Sequence, residues 1–210
     1  MKILSGLAIA TLLMLSGSAF AQNSEFDGMS FFVTSVGSGN GGDLGGFAGA
    51  DAHCEALASA AGAGNRNWRA YLSNDANSFG EMIHARDRIG SGPWYNAHGV
   101  LIAVNVDDLH LYNETITAYT ALDERGNIID GSRHDILTGA TEGGTAFFPD
   151  EADHTCNNWT SGDEGSANLG HHDRFGINVS WNDTHVSAGC SQQALISTGG
   201  DGLYYCFAAD

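Results

Sequence analysis

Apolar positions along this chain gather in short blocks separated by glycine-rich and acidic connections. The first block, Ile3 to Leu15, follows Lys2 and precedes small residues ending at Ala19-Phe20-Ala21. A basic start, an apolar centre and a small-x-small ending are the pattern of a secretory signal, with cleavage expected after Ala21. The block is too short for a membrane anchor, which needs about 20 consecutive apolar residues, and no later stretch is long and apolar enough to insert. The expected division is therefore a signal peptide over 1-21 and one domain over 22-210, exported to the periplasm or secreted. No Pro-rich or low-complexity linker divides the second part.

Within that domain, Met29 to Val36 mixes β-branched and aromatic residues and predicts a first strand. A glycine-rich run, Gly37 to Gly46, predicts a mobile or turn-rich connection, since glycine reaches positive φ cheaply. Asp51 to Ala61 is the clearest helix: Asp51 is a candidate N-cap, Cys54, Leu57, Ala58 and Ala61 share one face, and Gly62 and Gly64 end it. Trp68 to Ser73 alternates as a strand. Phe79 to Ile89 predicts a shorter second helix, closed by Gly90-Ser91-Gly92-Pro93, and Gly99 to Val106 a buried strand. From Asp107 to Asp153 the pattern weakens into turns and strand-like fragments, a long-loop region. Leu203 to Phe207 reads as a buried final strand. The elements predict an α+β domain with no repeat, of a size that buries roughly 70% of its unfolded surface.

Charge narrows the partners. Lys2 is the only lysine, and the formal net charge is −17, with 25 Asp and Glu against 8 Lys and Arg. Such a chain repels phosphate backbones and anionic lipid, so neither nucleic acid nor a membrane surface is an expected partner. Cations and neutral ligands suit it better. The run Gly37-Ser38-Gly39-Asn40-Gly41-Gly42 satisfies G-x-G-x-x-G, but the surrounding βαβ unit of a dinucleotide site is missing and the compartment is wrong for it.

Four cysteines, Cys54, Cys156, Cys190 and Cys206, in an exported chain imply two disulfides, with three connectivities open. None has C-x-x-C spacing. Bridges closing loops of tens of residues or more stabilise by roughly 4 to 5 kcal/mol each on the chain-entropy account.

The run Gly41-Gly42-Asp43-Leu44-Gly45-Gly46 through Gly49-Ala50-Asp51-Ala52-His53-Cys54, then Trp68-Arg69-Ala70-Tyr71-Leu72-Ser73, resembles the corresponding helix and strand of the endostatin domain of collagens. Thr155-Cys156-Asn157-Asn158-Trp159-Thr160 and the closing Cys190 and Cys206 resemble its later cysteine segments. The resemblance implies a C-type lectin-like (endostatin-like) fold: two helices around short mixed or antiparallel sheets, a long-loop region and two nested disulfides. Carried onto this chain, the nesting pairs Cys54 with Cys206 and Cys156 with Cys190.

Trp181-Asn182-Asp183 is similar to the Trp-Asn-Asp motif of sugar-binding C-type lectins, whose Asn and Asp oxygens hold Ca²⁺ and sugar hydroxyls. A hard cation takes six to eight oxygens, so two ligands need companions. The usual Glu-Pro-Asn triplet is missing, and Glu151 and Asp153, beside Asp150, are the candidates to replace it. His171-His172-Asp173 carries donors suited to zinc, although adjacent residues rarely serve one ion. His53, His84, His98 and His110 read as bystanders. Trp94, Tyr95, Trp159 and Trp181 are candidate stacking platforms for a sugar face, two or three of them competing with a role in the core. No G-x-S-x-G elbow appears and the thiols are committed to bridges, so no nucleophile stands out. The expected function is an exported binding protein for glycan, with Ca²⁺ as an aid. A protein-interaction or structural module, or a hydrolase of an envelope or extracellular polymer, are the other two readings of the same scaffold.

Overall fold

The computed structural model describes residue 26 and residues 28–75, 81–111, 113–175 and 179–210. The predicted signal segment lies outside them, as do residues 79 and 80 of the second predicted helix. No helix among the described residues is long and apolar enough to cross a membrane.

The architecture is α+β, organised on the last strand. In chain order the elements are β1 (Phe31–Val33), α1 (Gly46–Ala60), β2 (Trp68–Ala70), α2 (Ala85–Arg88), β3 (Trp94–Tyr95), β4 (Leu101–Ala103), α3 (Val106–Leu111), β5 (Asp135–Leu137), α4 (Cys156–Trp159), β6 (Asn168–His171), β7 (His185–Val186), α5 (Gln192–Ser197) and β8 (Gly200–Ala208). β8 pairs antiparallel with β1 and with β2, and parallel with β5. The sheet then continues through β6 to β7, both steps antiparallel, while β3 and β4 form a separate pair.

β8 is apolar without alternation because both its faces are covered. Cys206 is bonded to Cys54 of α1, and the Tyr204 hydroxyl points at Ala50 of that helix. On the other face Tyr205 and Phe207 meet Phe31, Tyr71, Trp94 and Trp181 at ring separations of 4.9 to 6.4 Å. The second disulfide joins Cys156 to Cys190, so the two bridges are nested as the resemblance implies.

Several predicted elements shift. α1 starts at Gly46, five residues before Asp51, because Gly45 and Gly46 adopt positive φ and turn the chain into the helix. Asp51 is thus no cap; it faces β2 and accepts from the Ala70 amide. The buried stripe is Ala50, Cys54 and Ala58, at i, i+4, i+8. The second predicted helix shrinks to α2: the Ile83 amide donates to Asn74 and the Ala85 amide to Ser73, which holds the preceding residues extended along the end of β2. The strand predicted over Gly99 to Val106 is only β4, with Val100, Leu101 and Val104 exposed, as an edge of a two-stranded sheet allows.

The predicted long-loop region contains two elements that the pattern does not announce. α3 begins with a reciprocal cap, in which Asn105 accepts from the Asp108 amide and Asp108 from the Val104 amide. β5 is a three-residue strand placed centrally between β8 and β6. The glycine-rich run is a close-packed seam and not a free connection: a Cβ on Gly42 would lie 2.5 Å from Cys156 Sγ, and one on Gly41 2.1 Å from the Cys190 carbonyl.

Candidate functional site

Two arrangements of chemically able side chains stand out. The first surrounds Trp181-Asn182-Asp183, in the connection from β6 to β7. The Trp181 ring packs on Tyr71 at 4.8 Å. Asn182 is fully buried: its amide donates to the Tyr71 hydroxyl at 2.9 Å and to the carbonyls of Thr141 and Glu142 at 3.1 and 3.2 Å, while its oxygen accepts from Ser180 Oγ. Asp183 accepts from the Glu142 amide at 2.8 Å and from Asn168 Nδ2 at 3.0 Å. The triplet therefore ties the β6–β7 connection to the turn at 141–142. The amide nitrogen of Asn182 is engaged in that task, and its oxygen accepts from Ser180 Oγ inside the protein.

Asp153, the other expected calcium ligand, is likewise structural. Its oxygens accept from the amides of Thr155, Asn157 and Ser166, at 3.0 to 3.3 Å, and so hold α4 in place. Glu151 lies exposed on the surface. Of the stacking candidates, Trp159 and Trp94 are fully buried, their indole N–H groups donating to the carbonyls of Ser73 and Ala208. Neither presents a face to solvent, because each fills the core where α4 or β3 meets the main sheet. Tyr95 is partly exposed on β3, while the tryptophans that could have shared a sugar ring with it are buried.

Above the triplet opens a groove of about 760 Å³, lined by His110, Glu114, Glu142, Arg174, Trp181 and Asp183 among others. Its wall is a hydrogen-bond chain. The His110 Nδ1–H donates to the Val106 carbonyl at 2.7 Å, so Nε2 accepts from the Tyr71 hydroxyl at 2.8 Å, and that hydroxyl in turn accepts from Asn182. Burial holds His110 below its ordinary pKa and Tyr71 well above its own. Arg174 is likewise pulled down by burial, with Glu114 opposing, and its guanidinium donates to the Asn113 carbonyl.

The second arrangement lies on one face of β5, β6 and β7. Asp135 pairs directly with His171 across β5 and β6, and His185 pairs with Leu169, two residues before His171. Side chains two apart in a strand share a face, so the topology itself gathers Asp135, His171 and His185. His171 Nε2 lies 3.0 Å from His185 Nε2 and 3.1 Å from Asp135 Oδ1, and His185 Nε2 lies 3.4 Å from the same oxygen. His134 stacks on His171 at 4.2 Å, with its Nδ1 3.4 Å from Asp173 and its Nε2 3.4 Å from Asp135. The side chain of Asp135 is 1% exposed, yet neither of its oxygens accepts an aligned hydrogen bond.

Of the predicted His171-His172-Asp173 cluster, the structure brings together His171 and Asp173 through His134, and His172 is not part of that group. His172 is fully buried with both ring nitrogens unbonded, and burial pushes its pKa down to about 4, so it is neutral. Asp135, His134 and His185 went unnoticed in the sequence. Only the alternation of Leu169 and His171 hints at their shared face, and the partner residues are 36 positions upstream, at Asp135, and 14 downstream, at His185. No protein-family model and no curated protein sequence matches the chain.

Proposed function

We propose that this protein is an exported binding module on a C-type lectin-like, endostatin-related scaffold, and that its groove takes a polar ligand of the glycan class. The observation that carries this reading is the groove itself: Glu114, Glu142 and Asp183 supply acceptors, Arg174 supplies donors, and the edge of Trp181 supplies an apolar floor. Such a mixture suits vicinal hydroxyls, which donate and accept at once. With the amide of Asn182 committed internally, recognition in this reading proceeds by direct hydrogen bonds and not through a calcium bridge held by that residue. The nested disulfides and the two-sided burial of β8 support the scaffold assignment.

Screening the mature chain against a glycan array tests the proposal. We expect binding to a defined set of saccharides, weakened about tenfold or more by Glu142→Gln or Glu114→Gln, since a hydrogen bond to a charged group contributes roughly 1.5–3 kcal/mol. An array without signal would overturn it. A second reading, a protein-interaction module, is favoured by one feature: Tyr119, Ile128 and Phe175, all exposed, border a second cavity of about 510 Å³ beside His134 and Asp173. Capture of a protein partner lost on Tyr119→Ser, alongside a blank array, would select that reading.

A further inference from the structure

We propose that Asp135, His171 and His185 form a transition-metal site, with zinc as the fitting ion. The argument begins with tautomers. His171 Nδ1 lies 2.7 Å from the Phe175 carbonyl and His185 Nδ1 lies 3.1 Å from the Val186 carbonyl. A carbonyl only accepts, so in both rings the hydrogen of the neutral form is on Nδ1. Both Nε2 atoms then present lone pairs, and these face each other at 3.0 Å with a carboxylate oxygen 3.1 and 3.4 Å away. Three electron-rich atoms converge in this way when something positive lies between them, either a proton on one ring or a bound cation, and the size of the triangle favours the second.

The triangle has the dimensions of a coordination polyhedron. For ligand bonds of about 2.0–2.1 Å, the edge of a tetrahedron is about 3.3–3.4 Å and that of an octahedron about 2.9 Å. The three observed edges, 3.0, 3.1 and 3.4 Å, fall in that range. Asp135 supplies the independent sign: a side chain 1% exposed, its two oxygens without an aligned hydrogen bond, with Oδ1 facing the imidazole nitrogens. A buried carboxylate left in that state costs several kcal/mol, and a bound cation removes the cost.

The surroundings complete the pattern. The backbone carbonyls on both Nδ1 atoms are the outer partners that fix ring orientation in metal-binding histidines. Two imidazoles and one carboxylate select zinc, cobalt, nickel or copper over calcium and magnesium. His185 is partly exposed, with 37% of its side chain accessible, so the ion has a route in and a coordination position open to water or ligand. This site stands on other residues than the groove and holds whether or not that groove binds glycan.

The test uses the mature chain freed of metal with a chelator and titrated with Zn²⁺, and in parallel with Ca²⁺, by calorimetry and thermal melting. We expect one Zn²⁺ per chain, a raised melting temperature and no response to Ca²⁺. His185→Ala, a change at a partly exposed position that leaves the core intact, should weaken Zn²⁺ binding by more than the roughly 10- to 100-fold lost when only outer-shell partners are removed. Co²⁺ in place of Zn²⁺ should give visible absorption bands that His185→Ala abolishes. Absence of Zn²⁺ binding overturns the proposal, as does binding that His185→Ala leaves unchanged. Imidazole ¹⁵N spectra showing a proton shared between the two Nε2 atoms, undisturbed by Zn²⁺, also overturn it.

Discussion

Asp51 shows how one side chain can decide the contact between a helix and a strand. Its oxygens accept from Arg88 at 2.8 Å, from Arg69 at 3.2 Å and from the Ala70 amide at 2.9 Å, while the Arg88 guanidinium also lies 4.1 Å above the Phe47 ring. The Arg88 side chain is only 10% exposed, and burial lowers its pKa against the pull of Asp51. Removing the carboxylate leaves a buried cation without its counter-ion, so Asp51→Ala is expected to cost about 3–5 kcal/mol in urea unfolding. Arg88→Met in the same chain should recover part of that loss, since it removes the orphaned charge. A second prediction concerns His110. Burial depresses its pKa, with Arg86 adding to the effect and Asp107 and Asp87 opposing it. The neutral ring is the folded form, so its contribution is present above the ordinary pKa of 6.5 and lost as pH falls through the lowered value. The wild type should therefore lose stability on acidification below pH 6.5 with a steeper slope than His110→Gln, the difference not exceeding about 1.4 kcal/mol per pH unit. Equal slopes would place the titrating group elsewhere. Neither role was legible from residue type. Asp51 has the composition of a cap and His110 that of a bystander; what changes them is the strand and the ring packed against each from 19 and 39 residues along the chain.

At the scale of elements, α4 is unusual in its hand. Cys156, Asn157, Asn158 and Trp159 all have φ between 48° and 65°, one turn of left-handed helix. For ordinary side chains that conformation costs roughly 1–2 kcal/mol per residue. It is offset by Asp153, which gathers three amides around it, and by Thr155, whose hydroxyl accepts from the Asn158 amide and donates to Asp75. The disulfide at Cys156 and the indole of Trp159 then anchor its two ends. Asn157→Gly should be tolerated within about 1 kcal/mol, whereas Asn157→Val, β-branched at a positive φ, should cost about 1–2 kcal/mol more. A glycine variant less stable than the valine one would mean that backbone strain is not the governing quantity. The legibility of elements follows the same division between local and distant causes. α1 and β8 announce themselves, because a long stripe and a long apolar run are local signals, although the start of α1 is moved by two glycines. α3 carries a readable cap in Asn105 and Asp108, short enough to be lost among acidic turns. β5 has three residues and begins with a charged one, so nothing in it predicts a central strand; its place comes from β8 and β6 on either side. The candidate site inherits that blindness. Asp135 is chemically informative only once β5 is known to lie beside β6.

For the whole molecule, the informative sequence features are the cysteines and the apolar ending, since together they say that distant parts must close on the last strand. β1, β2 and β5 reach β8 from residues 31, 68 and 135 onward, so the sheet cannot form until most of the chain is in place. The Cys54–Cys206 bridge ties α1 to the strand all of them share and spans 152 residues, while Cys156–Cys190 spans 34. All four cysteines are fully buried, so replacing either pair by alanine leaves comparable apolar space and the loop length should decide the difference. On the chain-entropy account the outer bridge contributes about 5 kcal/mol and the inner about 4. Net stabilities of single domains are about 5–15 kcal/mol, so loss of the outer bridge should bring the chain near its threshold. Cys54→Ala/Cys206→Ala is therefore expected to unfold at lower urea than Cys156→Ala/Cys190→Ala. The opposing influence is local: the inner bridge lies against Gly42 and terminates a left-handed turn, so its removal frees both a close-packed seam and a strained segment. If the inner variant proves the less stable, native packing around α4 outweighs the longer loop, and the stability of this fold resides more in the seam between the glycine run and the second disulfide than in the closure of its ends.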